Sequence, residues 1–178
     1  SYQQDSAWLW EHQALVRARP VAGCPRLAAS FQALRRQILG ASRGHAETRD
    51  KIVEMRERMR QNIADSEPAM QLKQGKGGIV DIEFMVQYLV LGWAAEFPAL
   101  LDFPDNARIL ERASDCGLLG RDISTQLVDD YAALRHTGQL LAIGAATDLD
   151  IEWRRERVRR IWHALMVDGL SPGELAVT

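Results

Sequence analysis

The sequence predicts an all-α fold, an irregular bundle of six or seven helices with one glycine-rich loop. Apolar residues recur at three- and four-residue spacing through most of the chain, which is the signature of helices with one buried face. Glycine and proline fall between those segments and punctuate them. Strict alternation is confined to a weak stretch at 70–73, and an isolated strand there has no evident partner in the sequence. No internal repeat, low-complexity tract or heptad array emerges, so a repeat array is not expected.

Taken in order, residues 2–17 carry good helix formers with no interior breaker before Pro20, and Trp8, His12 and Leu15 share a face. Pro25 suits a first helical position, after which Leu27, Phe31, Leu34 and Ile38 form a stripe that Gly40 closes. The clearest amphipathic segment is 47–63. Ile52, Met55, Met59 and Ile63 form its stripe, and Arg56, Glu57, Arg58 and Arg60 read as the solvent face of a surface helix. Pro68, Gly75, Gly77 and Gly78 mark the major interruption of the chain.

A helix over 81–97 follows, apolar around much of its circumference through Phe84, Val86, Tyr88, Leu89, Val90 and Trp93, and therefore central. Pro98 and Pro104 bracket a connection, and a short helix over 106–116 is closed by Gly117. Over 122–143, Ile123, Leu127, Tyr131, Leu134, Gly138 and Leu141 hold one face, with Gly138 expected to permit close packing. The last helix, 150–168, turns Ile151, Val158, Ile161, Trp162, Leu165 and Met166 toward the core and is ended by Gly169 and Pro172.

With 178 residues the expectation is a single helical domain with a real core. Twenty-two basic against 24 acidic side chains give a net charge of −2, which argues against bulk nucleic-acid binding while leaving room for a local nucleotide site. The apolar stretch 82–101 contains Glu83, Gln87, Glu96 and Pro98 and is too polar for a membrane span. Cys24 and Cys116 are the only cysteines. With no basic-then-apolar leader visible, they fit a cytoplasmic protein, although one disulfide between them is compatible with the sequence. The first residues already read as helix interior without an initiator Met, so a longer parent chain is expected.

The segment that says most about chemistry is Lys73-Gln-Gly-Lys-Gly-Gly-Ile-Val-Asp-Ile-Glu-Phe84. Gly75, Gly77 and Gly78 let backbone approach a ligand closely, and with Lys73 and Lys76 beside helix-start amides they can take a phosphate. The same residues equally serve as a turn entering a buried helix. Neither the Walker-type spacing nor the dinucleotide fingerprint is present. Asp81 and Glu83 stand two positions apart, roughly 200° around a helix, so they do not form one carboxylate pair there. Asp81 can cap the helix. Glu83, set among apolar neighbours, must reach solvent or a cation. Arg17 and Arg19 can contact phosphate, clamp a carboxylate such as Glu83, or simply complement a helix end. His12, His45, His136 and His163 lack ligand-like spacing, so no zinc site is indicated. Arg154, Arg155, Arg157, Arg159 and Arg160 read as a solvated face with intrahelical ion pairs, or as a protein-binding face. No Asp-x-Asp pair suited to two magnesium ions occurs near the loop.

Residues 73–91, KQGKGGIVDIEFMVQYLVL, resemble a hallmark segment of the bacterial glutamine synthetase adenylyltransferases, two-headed enzymes that add AMP to a glutamine synthetase tyrosine and remove it. Residues 10–19 with Val21 and Gly23, residues 105–111 with 117–119, and Tyr131 with Leu134 and Arg135 extend the resemblance over most of the chain. Gln71 and Gln139 depart from the family's pattern.

The resemblance implies the helical end of the adenylylating half, with the catalytic Asp pair in a nucleotidyltransferase core upstream of residue 1. It further implies ATP as substrate, Mg2+ as its metal, and attack of a tyrosine oxygen on the α-phosphorus. Charge and placement then suggest that Lys73 or Lys76 and the loop amides assist a phosphate, with support from Arg17 or Arg19, and that Glu83, alone or with Asp81, orients a basic partner or tunes metal binding. Glutamine synthetase is the implied partner. The rival reading is a non-catalytic helical module that binds glutamine synthetase or a PII-type signalling protein.

Overall fold

The computed structural model describes residues 9–61, 67–145 and 150–175. Among these residues the secondary structure is helical throughout, with no strand. The helices are α1 (Leu9–Arg17), α2 (Pro25–Leu39), α3 (His45–Arg60), α4 (Pro68–Gln74), α5 (Ile79–Trp93), α6 (Asn106–Asp115), α7 (Arg121–Ala142) and α8 (Glu152–Trp162). A 3-10 turn at Pro98–Leu101 joins α5 to α6, a π turn at His163–Val167 extends α8, and a further 3-10 turn spans Pro172–Glu174. None of the described helices is long and apolar enough to cross a membrane. The weak alternation at 70–73, which admitted a short strand, lies instead within α4, where Pro68 opens the first turn and only Leu72 is buried.

Helix α5 is the axis of the bundle. Every one of its residues is buried except Glu83 and Gln87, and it touches α1, α3, α4, α6, α7 and α8. Its first turn begins two residues earlier than expected, because Gly78 rather than Asp81 occupies the cap. The core joins Val80, Ile82, Met85, Leu89 and Trp93 of α5 to Ile52 of α3, Ile109 of α6, Leu127 and Leu134 of α7, and Val158, Trp162 and Met166 at the end of the chain. Each such side chain contributes about 1.5–3 kcal/mol of transfer free energy.

The two polar exceptions on α5 face α1. Gln13 Nε2 donates to Gln87 Oε1 at 2.8 Å, and Arg17 Nη1 lies 3.3 Å from Glu83 Oε1. Residues 13 and 17 pair with 87 and 83, so one turn on each helix separates the rungs and the two helices run antiparallel. The buried face of α1 is thus Gln13 and Val16, not the expected face of His12 and Leu15; Trp8 lies outside the described residues. Arg35 of α2, itself buried, donates to the carbonyls of Leu15 and Val16 and to that of Leu101, closing the end of α1.

Helix α3 departs most from its sequence reading. Ile52 is buried as expected, Met59 is exposed, and Ile63 lies outside the described residues. Arg56, read as a solvent-facing residue, has no exposed surface at all. The reason lies opposite it, in a buried acidic partner.

Asp130 has the same effect on α8. It is fully buried in α7 and accepts from Arg154 Nη1 at 2.8 Å and from Arg157 Nε at 2.8 Å. Arg155 and Arg159 do make intrahelical pairs with Glu152 and Glu156, but the basic helix is not simply a solvated face. Gly138 of α7 faces Leu72 and Ile79. A Cβ there would meet them at 3.7 and 3.8 Å, ordinary contact distances, so close packing does not demand glycine. Cys24 and Cys116 are both free thiols.

Candidate functional site

The glycine loop joins α4 to α5, and its three glycine amides are paired within the chain. Gly75 N–H donates to Gln71 O at 2.7 Å, Gly78 N–H to Gly75 O at 3.0 Å, and Gly77 N–H to Asp81 Oδ2 at 2.8 Å. Gly77 adopts φ +71°, the left-handed region that glycine reaches without strain. From the other side Arg155 Nη2 donates to Lys76 O at 3.0 Å, and Arg56 Nη2 to Gln74 O at 2.5 Å. With these three amides already engaged, the loop does not offer them to a phosphate.

Asp81 explains the buried arginine. Its Oδ1 accepts from Arg56 Nε at 2.8 Å and from Arg60 Nη2 at 2.7 Å, while Oδ2 holds Gly77. The carboxylate therefore ties α3, the glycine loop and the third residue of α5 together. Burial pushes the Arg56 guanidinium below its usual pKa, and the Asp81 charge opposes that shift. Arg56 also lies over the Phe84 ring and Arg60 over that of Trp162, so apolar neighbours accept both cations through their π faces.

Two positions further on, Glu83 points the other way into a cleft. Its Oε1 accepts from the Tyr131 hydroxyl at 2.9 Å and receives longer contacts from Arg17 at 3.3 Å and Asn106 Nδ2 at 3.5 Å. Asn106 Nδ2 also donates to the Tyr131 oxygen at 2.8 Å. Four elements thus converge on one carboxylate: α1, α5, α6 and α7. The cleft around it holds about 450 Å³, with Met70, Ile79 and Ala142 as apolar wall and Arg17, Lys73 and Arg135 as cations. A neighbouring hollow of about 360 Å³ shares Arg17, Tyr131, Arg135 and Gln139 and continues the cleft toward Asp105 and His136.

Of the residues singled out in the sequence, Arg17, Lys73 and Glu83 meet in this cleft. Arg19 does not join them. It lines a separate depression with Pro20, Cys24, Leu27 and Phe31. Lys76 is exposed on the loop, with its carbonyl held by α8, and lies outside the cleft lining. Asp81 and Glu83 serve opposite sides of α5, as their angular separation requires. Tyr131, Asn106 and Arg135 are the residues that sequence reasoning missed as site members. Tyr131 carried a usable signal: it sits in the apolar stripe of α7, and a buried phenol needs a hydrogen-bond partner.

Burial and then the Glu83 carboxylate raise the Tyr131 pKa above its usual value of 10.0, and desolvation raises that of Tyr88. A phenol held protonated longer in the fold contributes stability that is complete below pH ~10 and is lost as pH rises through the folded value. Ultraviolet titration is expected to show Tyr88 and Tyr131 ionising later than tyrosine in the unfolded chain. Tyr131→Phe should abolish one late transition, and ordinary titration of Tyr131 would contradict its placement against Glu83.

The profile of the family described as GlnD PII-uridylyltransferase matches residues 46–161, more than half of the chain, and that described as Glutamate-ammonia ligase adenylyltransferase matches residues 1–34. Among curated relatives, a bifunctional glutamine synthetase adenylyltransferase/adenylyl-removing enzyme of Nitrosococcus oceani is 47% identical over 94% of this chain and 18% of its own length. Proteins of the same name from Thioalkalivibrio sulfidiphilus and Pseudomonas aeruginosa are 45% and 42% identical over 94% and 92% of the chain. In each case the chain spans 18% of the relative, about a fifth of its length. The chain belongs to the family described as GlnD PII-uridylyltransferase, and it is the counterpart of a segment of the bifunctional glutamine synthetase adenylyltransferase/adenylyl-removing enzymes.

Proposed function

We propose that this chain is the helical region of a glutamine synthetase adenylyltransferase and that it supports the nucleotide beside a nucleotidyltransferase core lying upstream, in the adenylylating half. The observation that carries the reading is the convergence of Arg17, Lys73 and Arg135 on a cleft that is also lined by the apolar side chains Met70, Ile79 and Ala142. Such a cleft suits a nucleotide, with the cations toward phosphate oxygens and the apolar wall toward the base. Glu83, held by Tyr131, keeps Arg17 in place and so acts as a positioning residue.

The reaction in this reading is attack of a tyrosine oxygen of glutamine synthetase on the α-phosphorus of ATP, with loss of pyrophosphate. Magnesium accompanies the nucleotide in such chemistry and neutralises phosphate charge. Asp81 and Glu83 do not fit that metal: the first is enclosed by Arg56, Arg60 and Gly77, and the second faces Arg17 and Tyr131. Among the described residues no group of three or more potential metal ligands occurs. The carboxylates for magnesium belong, in this reading, to the upstream core.

The test compares the 178-residue chain with a protein extended upstream, measuring AMP incorporation into glutamine synthetase. The extended protein is expected to be active and the chain alone inactive. Within the extended protein, Arg17→Ala should raise the KM for ATP about tenfold, corresponding to one lost charge-assisted hydrogen bond of about 1.4 kcal/mol. Glu83→Ala should raise it less, with kcat nearly unchanged. Normal ATP affinity in both variants would remove the cleft from the mechanism.

A further inference from the structure

Helix α2 is anchored at one end only. Arg35, Ile38 and Leu39 near its C-terminus are buried, whereas its first ten residues, together with the turn before it, stand away from the core. On that projecting part Val21, Leu27 and Leu34 are 84%, 66% and 47% exposed, and Phe31 is half-buried between them. Leu27, Phe31 and Leu34 lie at four- and three-residue spacing, so they form one stripe. Alongside runs a depression of about 250 Å³ whose lining includes Pro20, Ala22, Leu27, Ala28 and Phe31. The arm is also one-sided in charge. No acidic residue occurs from 18 to 39, and Arg19 and Arg26 have no ion-pair partner among the described residues. A contiguous apolar surface rimmed by unpaired cations is the form of an interface awaiting an apolar patch with an acidic rim.

Two facts already given bear on what covers it. The adenylyltransferase profile takes in residues 1–34 and so ends on this arm, while the other profile begins only at residue 46. The relatives are about five times as long as this chain, so they hold ample chain to supply a partner surface in cis. We infer that the arm formed by residues 19–34 is the seat of the upstream nucleotidyltransferase core, which covers Val21, Leu27, Phe31 and Leu34 and presents carboxylates to Arg19 and Arg26. This rests on the proposed position of that core, and it adds the surface by which core and helical region are held together. The seat begins two residues after Arg17, which itself lines the cleft.

The experiment uses the 178-residue chain and the upstream-extended protein, each as wild type and as the double variant Leu27→Asp/Leu34→Asp. Both sites are exposed, so the variant chain is expected to melt at the wild-type temperature. Amide hydrogen exchange across 25–34 should be at least tenfold slower in the extended wild type than in the chain alone. The double variant should abolish that protection and lower AMP transfer by the extended protein at least tenfold. Equal exchange in the two wild-type proteins would overturn the inference. So would a chain that forms dimers dispersed by the double variant, since a second copy would then be the occupant. If the extended protein protects 25–34 yet transfers no AMP, the docking stands and the catalytic reading fails.

Discussion

Replacing Asp81 by alanine is expected to cost the fold about 3–5 kcal/mol, the usual penalty for removing one partner of a buried ion pair. The substitution leaves Arg56 with no exposed surface and no carboxylate, strips Arg60 of its inner partner, and leaves Gly77 N–H without an acceptor. Urea denaturation of the chain would show this as a lower midpoint at unchanged slope. Asp81→Asn should lose less, because an amide oxygen still receives the Gly77 amide. Removing the charges together tests the argument from the other side: Asp81→Leu with Arg56→Met should be more stable than Asp81→Ala, since no uncompensated cation remains at Arg56. A loss below about 1 kcal/mol for Asp81→Ala would mean that the arginines reach water by a small adjustment.

Gly77→Ala is the second large effect, expected at about 2–5 kcal/mol from a left-handed backbone and an obstructed side chain combined. At φ +71° a Cβ would lie 2.2 Å from Arg155 O and 2.9 Å from its carbonyl carbon. Both obstacles are backbone of α8, so no rotamer change relieves them. The helix must retreat from the loop, and a fall in thermal midpoint should be accompanied by faster hydrogen exchange in α8. Gly138→Ala is the control. Its Cβ meets only side-chain atoms at ordinary distances, and removing a helix-interior glycine should stabilise by about 0.5–1 kcal/mol. Comparable damage from both substitutions would refute the assignment of Gly77 as the tight joint.

Periodicity made the helices legible because most buried positions of α5, α6 and α7 carry ordinary apolar side chains. Phe84, Leu89, Ile109, Leu127 and Leu134 do what their spacing says. Where a face is completed by charge, the same rule misleads. Arg56 stands one turn after Ile52 and so on the buried face, but its charge argues for solvent as strongly as that of its exposed neighbour Arg58; only Asp81, 25 residues later, makes its burial tolerable. The failure at α1 has the same origin, since its buried positions include Gln13, whose partner Gln87 is 74 residues away. For the site, charge matching offered Glu83 as one of several partners for Arg17 or Arg19, and the structure places Arg17 3.3 Å from it. Tyr131 and Asn106 escaped because their roles depend on α6 and α7 meeting beside α5, a packing fact that no single segment encodes.

The loop at 75–78 looked like a phosphate cradle because three glycines with lysines beside them satisfy the composition of one. Amide availability, which composition does not report, favours the turn for the three glycine amides, whose acceptors are Gln71, Gly75 and Asp81, all within the chain. The glycines are there because backbone meets backbone at that point.

Arg35 has a mechanical meaning beyond capping a helix. Its planar guanidinium grips the last carbonyls of α1 and the carbonyl of Leu101, and a rigid fork bonded at three points lets none of those segments move alone. Arg35 belongs to α2, and Arg17 follows directly on Val16. The projecting arm and the residue that faces Glu83 therefore share a single anchor, the Arg35 guanidinium.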